Sequence, residues 1–187
     1  MANLVTLNET KDYLGIVSGE QDSRIKNLIL YVTDFIKLYC GRVFVDNYAN
    51  GAYTNITEYW SGGYDYYYTK EFPLRSLVSV SLSTDLGTTY TTLTAGVDYA
   101  IDLEKDRIYI TEGALYSGVN SYKFVYTAGF AVTPDSLKVA TFDLINYYLK
   151  QEATPRKTSG SISIEYIRSS DLPYHIKRVL DLYRVIE

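Results

Sequence analysis

The stretch Thr133–Gln151, TPDSLKVATFDLINYYLKQ, decides how the rest of the chain is read. Thr133 can cap free amides, Pro134 suits a first helical position and Asp135 complements the positive end of a helix dipole, so a helix is predicted to begin here. At helical pitch Leu137, Ala140, Leu144, Ile145, Tyr148 and Leu149 share one side, with Phe142 and Tyr147 flanking them. Apart from Lys138, only a narrow arc of Asp143, Asn146 and Lys150 stays polar. Such a helix needs neighbours on several sides, which makes it the centre of a helical core.

Working outward towards the N-terminus, Thr6-Leu7-Asn8-Glu9 spells a capping box, and a short helix is predicted to close at Leu14-Gly15. Ser18 to Gln21 offers a second, weaker box. Ile25, Leu28, Ile29, Val32, Phe35, Ile36 and Tyr39 then recur at i, i+3, i+4 spacing, and Gly41 supplies a C-cap. Lys26, Thr33, Asp34 and Lys37 fall on the other face, which reads as solvated. From Val43 to Tyr126 the period changes from helical to strand-like. Turn signals at Asn50-Gly51, Ser61-Gly62-Gly63, Asp85-Leu86-Gly87 and Ser117-Gly118 alternate with β-branched and aromatic runs. Tyr99–Asp102 and Arg107–Ile110 are predicted to form a hairpin with a polar tip.

Beyond the central helix, Thr154 to Gly160 breaks the pattern as a loop, and Ile162 to Ile167 alternates like a short strand. Asp171-Leu172-Pro173 opens a last helix with Ile176, Val179, Leu180 and Tyr183 on one face. The predicted fold class is α+β: a helical core of two N-terminal helices, one central helix and one C-terminal helix, with an inserted small antiparallel β subdomain. The expected parts of this single domain are residues 1–42, the insert 43–127, the central helix 128–153, and 154–187 for loop, short strand and final helix. The late strand lacks an obvious partner in its own chain and is expected to pair with another subunit.

Composition narrows the function. The 187 residues can bury a core without staples, and the single Cys40 excludes an internal disulfide or a multi-cysteine zinc site. No run approaches the roughly 20 apolar residues needed to cross a membrane, and Met1 to Thr10 carries no basic leader. A soluble protein made in a cytoplasm is expected. A net charge of −4 argues against general affinity for nucleic acid. The 21 tyrosines, against six phenylalanines and one tryptophan, bias the reading towards assembly, because tyrosine suits surfaces that must be apolar and wet in turn.

Residues arranged for chemistry are sparse. His175 is the only histidine, without a cysteine or a poised serine near it in sequence. The scattered glycines match no phosphate-binding spelling, and the carboxylates Asp102 with Glu104, and Asp143 with Glu152, sit where hairpin tips and helix faces carry such groups routinely. Catalytic, cofactor-binding and metal-binding residues are expected to be absent. Two basic clusters remain, Arg156-Lys157 in the loop and Lys177-Arg178 with Arg184 on the last helix.

The order of several sequence words carries more than any one of them. Thr6 to Ile16, Asp22 with Ile25 to Ile29, Tyr39-Cys40-Gly41-Arg42-Val43-Phe44, Tyr126-Thr127-Ala128-Gly129-Phe130 and Pro134 to Ala140 follow one another at a spacing that resembles the head-tail connector (adaptor, or head completion) proteins of tailed bacteriophages. Leu172 to Arg184 is similar to that family's terminal helix. The resemblance implies a structural virion protein with no reaction. It implies a dodecameric ring beneath the portal at the head-tail interface, assembled from subunits made in the host bacterial cytoplasm. Implied partners are other copies of the chain, the portal protein, a downstream neck or tail-completion protein, and genomic DNA in transit, with no membrane. Arg156, Lys157, Ile162, Ile164 and Tyr166 are the expected subunit-interface residues. Ile176, Lys177, Arg178, Leu180 and Arg184 are the expected portal-interface residues. Two rivals are a carbohydrate- or ligand-binding β module using Trp60, Tyr64, Tyr66, Tyr67 and Tyr68, and a hydrolase using Asp102 or Glu104.

Overall fold

The computed structural model describes residues 2–153 and 172–185, and divides into two compact units, one from residues 1–42 with 133–187 and one from 43–132. The helical unit contains α1 (Leu7–Leu14), α2 (Asp22–Cys40), α3 (Asp135–Ala153) and α4 (Tyr174–Asp181). The capping box opens α1: the Glu9 amide donates to the Thr6 hydroxyl at 3.3 Å, and the Thr6 amide donates to a Glu9 carboxylate oxygen at 2.8 Å. Gly15 and Gly41 end α1 and α2 in the left-handed conformation that their lack of a Cβ permits. The predicted box at Ser18 does not cap α2; Gln21 occupies that position without a side-chain bond, and Asp22 in the first turn pairs with Lys11 of α1 at 2.7 Å.

Charge ties α1 to the rest of the helical unit. Lys138 of α3 reaches the second Glu9 oxygen at 2.6 Å, so one carboxylate both caps α1 and ties it to the central helix. Ile25, Ile29, Val32 and Ile36 of α2 are buried, as are Leu137, Ala140, Leu144 and Ile145 of α3 and Ile176 and Leu180 of α4. The solvated face read for α2 holds only in part. Thr33 and Lys37 are buried, because the N-terminal segment lies over them: the Leu4 amide donates to the Thr33 hydroxyl at 3.3 Å and the Lys37 ammonium donates to the Ala2 carbonyl at 2.9 Å. Leu28, Phe35 and Tyr39 are only half-buried.

The second unit is built of β-strands with one 3-10 turn at Glu112–Ala114. Asn50-Gly51, both at positive φ, join β1 (Tyr48–Ala49) to β2 (Ala52–Tyr53) in a tight hairpin. β3 (Ile56–Trp60), β9 (Tyr122–Ala128), β5 (Leu74–Leu82) and β6 (Thr91–Thr92) make a four-stranded antiparallel sheet in that order. β4 (Tyr66–Tyr68), β8 (Arg107–Ile110) and β7 (Tyr99–Asp102) make a three-stranded one, in which the predicted hairpin is β7–β8. Alternate residues Tyr122, Phe124, Tyr126 and Ala128 of β9 meet Tyr67, Tyr99, Ile108 and Ile110 of the smaller sheet in one core. Tyr67 stands 5.3 Å from both the Tyr122 and Phe124 rings.

Buried tyrosines need partners for their hydroxyls, and Tyr67, Tyr122 and Tyr126 have them. Tyr122 donates to the Ala114 carbonyl at 2.7 Å, and Tyr126 donates to Glu58 at 2.6 Å while accepting the Glu71 amide at 3.3 Å. Part of the tyrosine excess is therefore core chemistry rather than surface.

Candidate functional site

α4 is where the sequence places its described candidate residues, and its two faces do different things. Ile176 and Leu180 are fully buried within the helical unit, and the Cys40 thiol on α2 lies 3.5 Å from the Leu180 carbonyl. Those two expected portal-interface side chains are thus committed to the chain's own core, since a helix this short holds its place only by burying one stripe. Lys177, Arg178 and Arg184 are exposed, together with Tyr174 and Leu182, which are 74% and 76% accessible. Arg178 sits 5.7 Å over the Tyr174 ring and Arg184 5.6 Å over Tyr39. The outward surface is therefore two aromatic rings, a leucine and three cations, with Asp181 engaged by the Tyr39 hydroxyl at 2.6 Å. That bond and burial push the Tyr39 phenol up to about 12, burial being the larger cause. Burial also drives the Cys40 thiol up to about 12, which keeps it a protonated, unreactive core group.

Beneath α4, a groove of about 320 Å³ runs between α3 and α4 over Val139, Ala140, Ile176 and Val179, with Asp135, Asp143 and His175 at its rim. Asp143 accepts the Tyr13 hydroxyl at 2.9 Å and lies 3.9 Å from the His175 ring. The expected subunit-interface residues Arg156, Lys157, Ile162, Ile164 and Tyr166 lie outside the described residues.

The tyrosine-rich surface of the β unit is built as a sheet face rather than a cleft. Tyr67 points into the core, leaving Tyr66, Tyr68 and Tyr109 outside. The Arg107 guanidinium occupies the space over two of these rings, 5.0 Å from Tyr66 and 4.8 Å from Tyr68. Lys70 similarly covers Trp60 at 5.7 Å. Trp60, Tyr66 and Tyr68 thus each have a cation of the same chain over the ring, while Tyr64 is 65% accessible. Asp102 accepts the Glu104 and Lys105 amides at the hairpin tip, the ordinary duty of a turn aspartate. Among the described residues no group of His, Cys, Asp and Glu could hold a metal ion, and no helix is long and apolar enough to cross a membrane.

No curated protein matches the chain. Solved structures do. The neck of an empty GTA particle, computed with C6 symmetry, is similar at TM-score 0.56 and 16% identity, over 98% of this chain and 91% of that one. The virion of a native gene transfer agent particle gives 0.57 and 15% over the same shares, and the neck of a native GTA particle computed with C12 symmetry gives 0.51 and 17% over 100% and 96%. At these identities the likeness is one of fold. The family model for head completion protein matches residues 3–186, both units and the surfaces just described, so the chain belongs to the head completion protein family.

Proposed function

We propose that the protein is a head-tail connector working as a dodecameric ring beneath the portal, where it extends the DNA channel and offers a platform to the next neck or tail component. The observation that carries this reading is the family match across nearly the whole chain, and the C12 symmetry of one similar neck supports twelve copies. A heterologous contact repeated around a closed ring is the economical way to build such an axis from one small chain. The subunits are made in the host cytoplasm and end in the virion at the head-tail interface.

Within that reading, the outward surface of α4 meets the portal. Its exposed Tyr174 and Leu182 supply apolar contact, while Lys177, Arg178 and Arg184 steer an acidic partner. Ile176 and Leu180 act from behind by holding α4 in place. The alternation of Ile162, Ile164 and Tyr166 and the charges of Arg156 and Lys157 support, from sequence alone, a further contact with a neighbouring subunit. Lys177→Glu with Arg178→Glu is expected to weaken attachment to portal-bearing heads at least tenfold while the melting temperature stays within about 2 °C, because both side chains are exposed. Unchanged attachment would remove α4 from the portal contact. Electron microscopy of the protein mixed with its portal tests the ring itself.

A further inference from the structure

Among the described residues of the helical unit, two partly apolar surfaces other than the outward face of α4 differ in charge. One is a ridge on α2, where Leu30, Tyr31 and Leu38 are 54%, 53% and 83% accessible, with Lys26 one turn before Leu30. The other is the α3/α4 groove, whose accessible apolar side chains are Val139 and Val179, with Ala140 and Ile176 buried beneath them and Asp135 and Asp143 also lining it. Neither Lys26 nor Asp135 has an ion-pair partner among the described residues.

The two surfaces face away from one another. Val139 lines the groove, and Tyr148 follows nine residues later on the same helix, roughly 180° around its axis at 3.6 residues per turn. Tyr148 meets the Tyr31 ring edge-on at 5.4 Å, so the α2 ridge lies on the opposite side of α3 from the groove. A unit with an apolar ridge and a cation on one side, and an apolar groove with carboxylates on the other, has the two unlike patches that a head-to-tail ring requires; an isologous dimer would need one self-complementary patch instead.

We propose that the α2 ridge of each subunit seats in the α3/α4 groove of the next copy, with Leu30 and Leu38 over Val139 and Val179 and with Lys26 against Asp135 and Asp143. This rests on the ring reading and names the surfaces that close it. Lys177 and Arg178 lie on the other side of α4 from Ile176 and Val179, so the same subunit keeps its cationic face free for a different neighbour.

Site-directed disulfide trapping tests this with the full chain assembled on its portal. Leu30→Cys and Val139→Cys, combined in one chain, are expected to give a ladder of covalent multimers on mild oxidation, while either single variant gives none; buried Cys40 adds no background. Rings that form without a ladder would overturn the pairing and leave the ring reading intact. A covalent dimer from Leu30→Cys alone would overturn it in favour of a two-fold contact. Absence of any ring would overturn both. Independently, Lys26→Glu is expected to raise the concentration for half-assembly about tenfold, and adding Asp135→Lys is expected to restore it to within about threefold. Failure of that rescue, with both single variants folded by circular dichroism, also counts against the pairing.

Discussion

Replacing Glu9 by glutamine keeps the shape of the α1 cap and removes only its charge, because glutamine can still accept the Thr6 amide. What is lost is the pairing with Lys138 at 2.6 Å. The Lys138 ammonium first, and then the Thr6 hydroxyl and amide, hold the Glu9 carboxyl down to about 2 from its ordinary 4.5. At ~1.4 kcal/mol per pKa unit, that difference sets an upper limit of roughly 3 kcal/mol on what the charge contributes. The Glu9 side chain is 38% accessible, and solvent screening brings the expected contribution to about 1 kcal/mol. The sign follows from the depressed value: the contribution is complete well above pH 4.5 and is lost as the pH falls through about 2, where the unfolded chain carries a protonated Glu9 and the folded chain is half protonated. Urea denaturation of wild type and Glu9→Gln between pH 7 and pH 2 is the assay. The stability gap is expected to be constant from pH 7 to about 5 and to be largely closed at about pH 2. A gap independent of pH over that range, or none at pH 7, would refute the electrostatic account of how α1 is held to α3.

Tyr126→Phe removes the hydroxyl that donates to Glu58 and accepts the Glu71 amide, and is expected to destabilise the β unit by about 2 kcal/mol, read as faster amide exchange along β9. Gly129→Ala is expected to cost more than about 2 kcal/mol, because φ is +99° and a Cβ would stand 2.5 Å from the Phe44 carbonyl oxygen; a melting temperature within about 2 °C of wild type would count against it. The isolated subunit is expected to show no appreciable duplex binding at physiological salt, since net charge is −4 and its basic residues occur in small clusters; a gel-shift titration over a salt series checks this, and tight, saturable binding by the monomer would contradict a passive channel.

Local signals were read most faithfully where one short-range bond decides the outcome. The Thr6–Glu9 box, the glycine ends of α1 and α2, the Asn50-Gly51 turn and the β7–β8 hairpin all depend on residues a few positions apart, and the structure has them. Long-range covering was not legible. Nothing near Thr33 or Lys37 in the sequence announces that Ala2 and Leu4 will bury them from about thirty positions away. The joining of Tyr66–Tyr68 to Arg107–Tyr109 is equally non-local, and it decides that Tyr67 fills the core while an arginine shields its neighbours. Likewise, the apolar stripe of the last helix was visible in the spacing of Ile176, Val179, Leu180 and Tyr183, but periodicity alone does not distinguish a stripe that packs on its own chain from one that meets a partner. Burial makes the distinction for Ile176 and Leu180, and it leaves the cations beside them as the exposed surface.

The chain enters and leaves the β unit at nearly the same place. The Phe130 amide donates to the Phe44 carbonyl at 3.1 Å, and the Gly129 amide donates to Pro73 beside it. Two backbones joined this way run about 5 Å apart, a gap that a tight turn can bridge. The intervening residues form a cassette whose two ends are pinned together, so its length and surface can diverge while the gap its ends present to the flanking chain stays fixed. Transplanting the cassette between relatives at these two phenylalanines would exchange the surface of the β unit and keep the spacing of its ends.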